Sequence, residues 1–266
     1  MAKRLTASYP LARERHLVLL TLLVLAAAGW AVVAWQPSGN RGGMAMDGGR
    51  MGLTMGMEAP LFLAMWVAMM VAMMFPTAAP MILVFHRIQA HRRQRDQEFI
   101  PTSMFVGSYL LVWTMFGAVA FFAASMAGEL AHHVPFLHQQ AARIGGVVLI
   151  AAGLYQLSGL KRACLSKCRS PMGFVLDSWR DGWSGTLRMG IGHGAYCLGC
   201  CWLLFVILFP LGVMNIAAML VITVLIFAEK SLRFGERAAS LAAVALVAYG
   251  AVVLVLPDAL STMRAS

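Results

Sequence analysis

The sequence predicts an all-α membrane protein, a polytopic helix bundle with about seven transmembrane helices. Hydrophobic residues make up 60% of the 266 residues and charged residues only 12%, roughly half the charged fraction of a soluble domain. Apolar runs of about 20 residues, the length of a membrane-crossing helix, recur along the chain. The net charge of +10 comes from basic clusters between these runs, which favours a role in topology over nucleic-acid binding.

The apolar runs define one transmembrane bundle over residues 16–256. The first run follows Arg13 and Arg15 and has no clear small-residue cleavage site, so we interpret it as a retained anchor. Pro210 and Gly212 interrupt a later run, where a tight turn or a re-entrant pair of half-helices both fit. The predicted spans are residues 16–35, 61–85, 104–127, 141–160, 188–208, 211–229 and 238–256.

The basic residues also predict the orientation of the bundle. An N-in, C-out arrangement makes residues 1–15 a cytoplasmic tail and residues 257–266 an outer tail. Only four of the 21 basic residues then lie outside, which follows the bias of membrane proteins towards positive cytoplasmic loops. Those four residues are Arg41, Arg50, Arg143 and Arg264.

The most informative motif is M-G-I-G-H-G-A-Y-C-L-G-C-C at residues 189–201. Helical spacing puts its sulfur and imidazole side chains on one stripe of the predicted fifth span. Thiolate, thioether and imidazole are the ligands that favour Cu(I), with zinc as the competitor. The alternative is that cysteine and glycine serve helix packing alone. The candidate metal ligands are Met189, His193, Cys197 and Cys200, with Cys201 at the edge of the stripe.

A second pair of thiols, Cys164 and Cys168, lies in a basic segment that closes the fourth span. A spacing of four brings both thiols to one face if the helix continues. They would bind Cu(I) or Zn(II), or form a redox-active pair; an inert reduced pair is an equal alternative, because the spacing is not a strong zinc pattern.

Methionines crowd the second span, in A-M-W-V-A-M-M-V-A-M-M-F-P. Met65, Met69 and Met73 form one stripe that would relay Cu(I) between weak thioether sites, and Pro76 would bend the helix. Core packing is the default interpretation for most methionines of this span, since methionine is a flexible gap-filler.

Two other features have simple interpretations. Glu229 and Lys230 close the sixth span and suggest an interfacial ion pair. The outer segment 37–59 is rich in glycine and methionine and would form a low-affinity capture arm for metal, or a plain loop.

Five motifs together resemble a known family over residues 60–235. They are the methionine motif of the second span, G-L-Y-Q-L-S-G-L-K-R-A-C-L-S-K-C-R-S-P-M-G-F, the fifth-span motif, G-V-M-N and E-K. This is the family of bacterial predicted metal-binding integral membrane proteins, domain of unknown function 2182. The resemblance implies a multi-pass protein of the bacterial inner membrane, sometimes labelled a copper chaperone. Besides the methionines of the second span, it carries over to Cys164, Cys168, His193, Cys197, Cys200 and Cys201.

We therefore expect an inner-membrane protein that binds Cu(I) and delivers or exports it without catalysing a bond change. Its partners would be the lipid bilayer and a periplasmic or membrane metalloprotein. The first alternative is a membrane thiol–disulfide oxidoreductase, and the second is a non-catalytic scaffold subunit of a larger membrane complex. Metal identity, direction of movement and oligomeric state are left open by the sequence.

Overall fold

The computed structural model describes residues 2–35, 45–47, 50–52, 54, 56–134, 136–137, 140–213 and 215–260. Most of the Met/Gly-rich segment 37–59 lies outside these ranges. In the described part, a short antiparallel pair, β1 (Ala45–Asp47) and β2 (Arg50–Gly52), accompanies an otherwise helical chain. The predicted all-α class is confirmed.

The helices follow one another with short connections. In chain order they are α1 (Ala2–Trp35), α2 (Ala59–Arg93), α3 (Thr102–His133), α4 (Ala141–Gln156), α5 (Gly159–Arg169), α6 (Pro171–Ser178), α7 (Gly182–Val206), α8 (Leu208–Leu211), α9 (Ile216–Ser231) and α10 (Gly235–Val255).

Among the described residues, five helical segments are long and apolar enough to cross a membrane. They comprise α1 from Arg13, α2, α3, α7 together with α8, and α10. A sixth follows if α4 and α5 count as one span bent by 61°. The predicted count of seven spans and the N-in, C-out orientation stay predictions.

The difference from seven spans has a local cause at α9. Gly212 adopts φ +95°, which ends the helical conformation after α8. The Asn215 side chain then accepts a hydrogen bond from the Ala218 backbone N–H, and α9 begins there. The resulting helix has 16 residues, about 24 Å, which is shorter than a hydrocarbon core of about 30 Å.

The bend between α4 and α5 also has a local cause. Ser158 lies in extended backbone conformation, and its hydroxyl accepts a hydrogen bond from the Lys161 backbone N–H. This is the N-cap arrangement that begins a new helix. The predicted fourth span therefore ends at Gln156, and α5 starts in a new direction.

Helix α2 forms the centre of the bundle, since it packs against α1, α3, α6 and α9. It stays helical through Pro76 and Pro80, and the Thr77 hydroxyl donates a hydrogen bond to the Met74 carbonyl beside the first proline. Helix α7 lies between α3 and α5, and α4 pairs with α10. Helix α7, which carries Cys197, Cys200 and Cys201, is therefore covered by α3 on one side and by α5 on the other.

Candidate metal centre

Helix α7 presents one buried face to the interior of the bundle. The five candidate ligands of the 189–201 motif, Met189, His193, Cys197, Cys200 and Cys201, are all 4% exposed or less. The stripe predicted from helical spacing therefore faces the protein core. Their roles as ligands stay predictions.

Glycines allow the neighbouring helices to approach this face closely. A Cβ at Gly194 would lie 2.9 Å from Cγ2 of Val112 on α3, and one at Gly199 would lie 2.8 Å from Sγ of Cys164 on α5. Both distances are shorter than a carbon side chain tolerates, so the absence of a Cβ permits the contact. The glycines of the motif bring α3 and α5 against the cysteines.

The Cys197 thiol of α7 contacts side chains of two other helices. Its Sγ lies 3.2 Å from the Tyr109 hydroxyl of α3 and 3.0 Å from the Lys230 Nζ of α9, which donates a hydrogen bond to it. Three helices therefore meet at this sulfur. A positive charge held against a sulfur favours its negatively charged form, the form that binds metals.

Cys200 and Cys201 lie beside Cys197 on the same helix. Their Sγ atoms are 3.2 Å apart, and both thiols donate to the Cys197 carbonyl, at 3.1 Å and 2.9 Å. The three thiols of α7 thus share one small volume of the core.

Helix α5 adds a fourth thiol to this group. The Cys168 side chain packs against the core that contains the α7 cysteines, and electrostatic interaction links its thiol with those of Cys197 and Cys200, whereas the Cys164 sulfur packs on Gly199. Both α5 cysteines face α7, and both are only partly buried. We define the thiol cluster as Cys168, Cys197, Cys200 and Cys201; Cys168 is its partly exposed member.

The basic residues around the α5 thiols have other partners. Lys161 donates to Glu229 at 2.7 Å, Lys167 to Asp177 at 2.9 Å, and Arg169 to the Leu232 carbonyl at 3.0 Å. The cation in contact with the thiol cluster is Lys230, from a different helix.

His193 lies one turn before Cys197, in an aromatic environment. Its ring stacks on those of Phe105 and Tyr109, at centroid distances of 6.0 Å and 5.5 Å, and is tilted against Phe174 at 5.6 Å. Among the described residues, its buried Nδ1 has no hydrogen-bond partner. A buried nitrogen without a partner is costly, so this ring has an unused ligand atom.

The methionines of α2 are buried without distinction between stripes. Met65, Met69 and Met73 belong to the hydrophobic core, but so do Met70 and Met74 from the other stripe. Core packing and a Cu(I) relay both predict buried methionines, so burial does not distinguish them. The relay stays a prediction.

The geometry of the thiol cluster is that of hydrogen-bonded thiols. In the part of the chain that the structure describes, no three His, Cys, Asp or Glu side chains have the arrangement of a ready-made metal site. The residue types nevertheless suit a soft cation, because several sulfur atoms lie within side-chain reach of one another. A bound ion would require small rotations of these side chains and replacement of the thiol hydrogen bonds.

Sequence reasoning missed two residues of this region, Tyr109 and Lys230. It also paired Glu229 with Lys230, whereas the structure pairs Glu229 with Lys161 and Gln156 and turns Lys230 to Cys197. Neighbouring residues on a helix point about 100° apart, which favours different partners for two long side chains such as those of Glu229 and Lys230. This spacing was the available signal that the two charges have separate partners.

Comparison with known proteins places the chain in a family. Residues 63–253 match the model of the family described as PpoB2, copper chaperone. No curated protein and no solved structure gives a significant match. Because the matched region includes α3, α5, α7 and α9 and covers well over half of the sequence, this protein belongs to the PpoB2 copper chaperone family.

Proposed function

We propose that this protein is embedded in the bacterial inner membrane, binds Cu(I) on its thiol cluster and passes the ion to another protein. The observation that carries the proposal is the group of three buried, neighbouring thiols on α7, with Cys168 of α5 packed against the same core. Membership of the PpoB2 copper chaperone family supports copper as the ion.

The chemistry of the cluster favours Cu(I) over harder cations. Soft thiolate and thioether ligands select Cu(I), whereas carboxylate sites select Mg²⁺ or Ca²⁺. The thiol cluster consists of cysteines alone. The carboxylate of Glu229, which adjoins Lys230 in the sequence, accepts hydrogen bonds from Lys161 and Gln156 instead. Zinc is the competing thiol-binding metal, and elemental analysis of the purified protein distinguishes it from copper.

Each cysteine has a proposed role. Cys197 and Cys200 form the primary site, with His193 as a further neutral ligand and Cys201 or Met189 as substitutes. Cys168 exchanges the ion with an outside thiol, because the residue is only partly buried and packs against the core that contains Cys197 and Cys200. Cys164, which lies beside it on Gly199, assists entry without holding the ion.

The test is elemental analysis of the full-length protein, purified in detergent under reducing, anaerobic conditions. Wild type and the Cys164→Ser control are expected to hold stoichiometric copper, and the double variant Cys197→Ser, Cys200→Ser is expected to lose it. Stoichiometric zinc instead of copper would change the assigned metal. Absence of metal from the wild type after incubation with Cu(I) would refute the proposal.

A thiol–disulfide oxidoreductase is a second candidate, favoured by the close thiols. It would use the Cys164/Cys168 and Cys197/Cys200 pairs, and the packing of α5 on α7 adds a disulfide between Cys168 and an α7 cysteine as a further possibility. Mixed disulfides trapped on Cys168 in a metal-free protein would favour this function. Under the scaffold alternative, neither metal content nor copper tolerance would respond to the double serine variant.

A further inference from the structure

Lys230 is placed where a charge acts directly on the thiol cluster. Its Nζ donates to Cys197 at 3.0 Å, and the other three cluster thiols also lie within its electrostatic reach. The adjacent Glu229 does not neutralise it, because that carboxylate accepts hydrogen bonds from Lys161 and Gln156. The cluster therefore faces one positive charge from α9.

The charge of a loaded site depends on how many thiolates hold the ion. Cu(I) carries one positive charge, so a site with two thiolates, with or without a neutral histidine, has a net charge of minus one. An uncompensated charge inside an apolar bundle is strongly unfavourable. The Lys230 ammonium supplies the single positive charge that makes this complex neutral.

We propose that Lys230 is the internal counter-cation of the metal centre and thereby selects a monovalent ion bound by two thiolates. A divalent ion on the same two thiolates would already be neutral, and beside Lys230 it would leave a surplus positive charge. The inference rests on the proposed function, because it assigns a specificity-determining residue to that same thiol cluster.

Two metal probes separate the effect of charge from that of geometry. Ag(I) and Hg(II) both bind two thiolates in a nearly linear arrangement, but they differ by one unit of charge. Their affinities for full-length protein are measured in detergent by competition with glutathione. Replacing Lys230 with Leu, which removes the charge without adding a sulfur ligand, is expected to shift the Ag(I)-to-Hg(II) affinity ratio towards Hg(II) by roughly tenfold or more, the effect of one charge at close range.

The charge-preserving variant Lys230→Arg is the matched control and is expected to keep the wild-type ratio. A Lys230→Leu protein that loses both affinities equally, or keeps both, would overturn the inference, whereas the proposed function, which is tested on the wild type, would still stand. X-ray absorption of the Cu(I)-loaded Met189→Leu protein, which lacks the neighbouring thioether, adds a second test: two sulfur ligands are expected, and three or more contradict the assignment. A wild type that binds neither Cu(I) nor Ag(I) would instead refute the proposed function itself.

Discussion

Lys161 and Glu229 form an ion pair in the interior, with 2.7 Å between Nζ and Oε2 and side chains only 1% and 2% exposed. Gln156 donates a second hydrogen bond to the same carboxylate, at 3.0 Å. The pair joins the start of α5 to the end of α9. It therefore fixes the two helices that bring Cys168 and Lys230 to the cysteines of α7.

Replacing Lys161 with Met is expected to lower the free energy of unfolding by about 3–5 kcal/mol, because the buried Glu229 carboxylate loses its cation. The double variant Lys161→Met, Glu229→Gln removes both charges and is expected to recover much of that loss. Thermal unfolding in detergent measures both variants. A single variant as stable as wild type would show that the pair does not hold α5 and α9 together.

Gly199→Ala tests whether α5 must lie close to α7. The new Cβ would lie 2.8 Å from Cys164 Sγ, so either the Cys164 side chain rotates or α5 shifts; if α5 must shift, copper affinity is expected to fall roughly tenfold as Cys168 leaves the cluster. Titration of Cu(I) against a chromophoric chelator measures the affinity. Adding Cys164→Ala to this variant removes the obstructing sulfur and is expected to restore binding.

The matched control for this test is Gly192→Ala on the same helix. A Cβ there meets only the Phe174 ring, at 3.8 Å, which is ordinary contact. Its copper affinity should equal that of wild type. Equal losses at Gly192 and Gly199 would indicate a general effect of alanine on α7 rather than displacement of α5.

His193→Phe is expected to change stability and copper affinity in opposite directions. Phenylalanine keeps the ring contacts with Phe105, Tyr109 and Phe174 and removes the unpartnered Nδ1, so the free energy of unfolding should rise by about 1 kcal/mol. Loss of a neutral ligand should weaken Cu(I) binding. If affinity is unchanged while stability rises, His193 is a packing residue only.

The α2 methionines are tested by a pair of leucine variants that conserve volume. Met65→Leu, Met69→Leu, Met73→Leu removes one thioether stripe, and Met70→Leu, Met74→Leu removes the other; each substitution costs less than about 1.5 kcal/mol. Under the relay hypothesis the first variant slows Cu(I) transfer to an acceptor while stoichiometry is retained. Equal transfer rates, followed by stopped flow, would leave core packing as the role of both stripes.

The sequence predicted the buried cysteine face because helical spacing alone decides which side chains share a face. Cys197, Cys200 and His193 were found together for that reason. Contacts between distant segments were not predictable in the same way: Cys168 reaches Cys197 only because Ser158 caps a new helix and the chain turns there. Lys230 was predicted to form an ion pair with Glu229 at the membrane interface, because a charge at the end of an apolar run usually lies there.

The bend after α4 has a consequence for how an ion would reach the buried thiols under the proposed function. Without it, the chain beyond Gln156 would continue along the axis of α4, away from Cys197. The 61° change of direction instead lays α5 along the flank of α7, so cysteines that are only partly buried adjoin fully buried ones. Under the proposed function, an ion bound at α5 would pass to the α7 cysteines by exchange of one sulfur ligand for another. It would stay bound to sulfur throughout and would not have to enter the apolar interior without ligands.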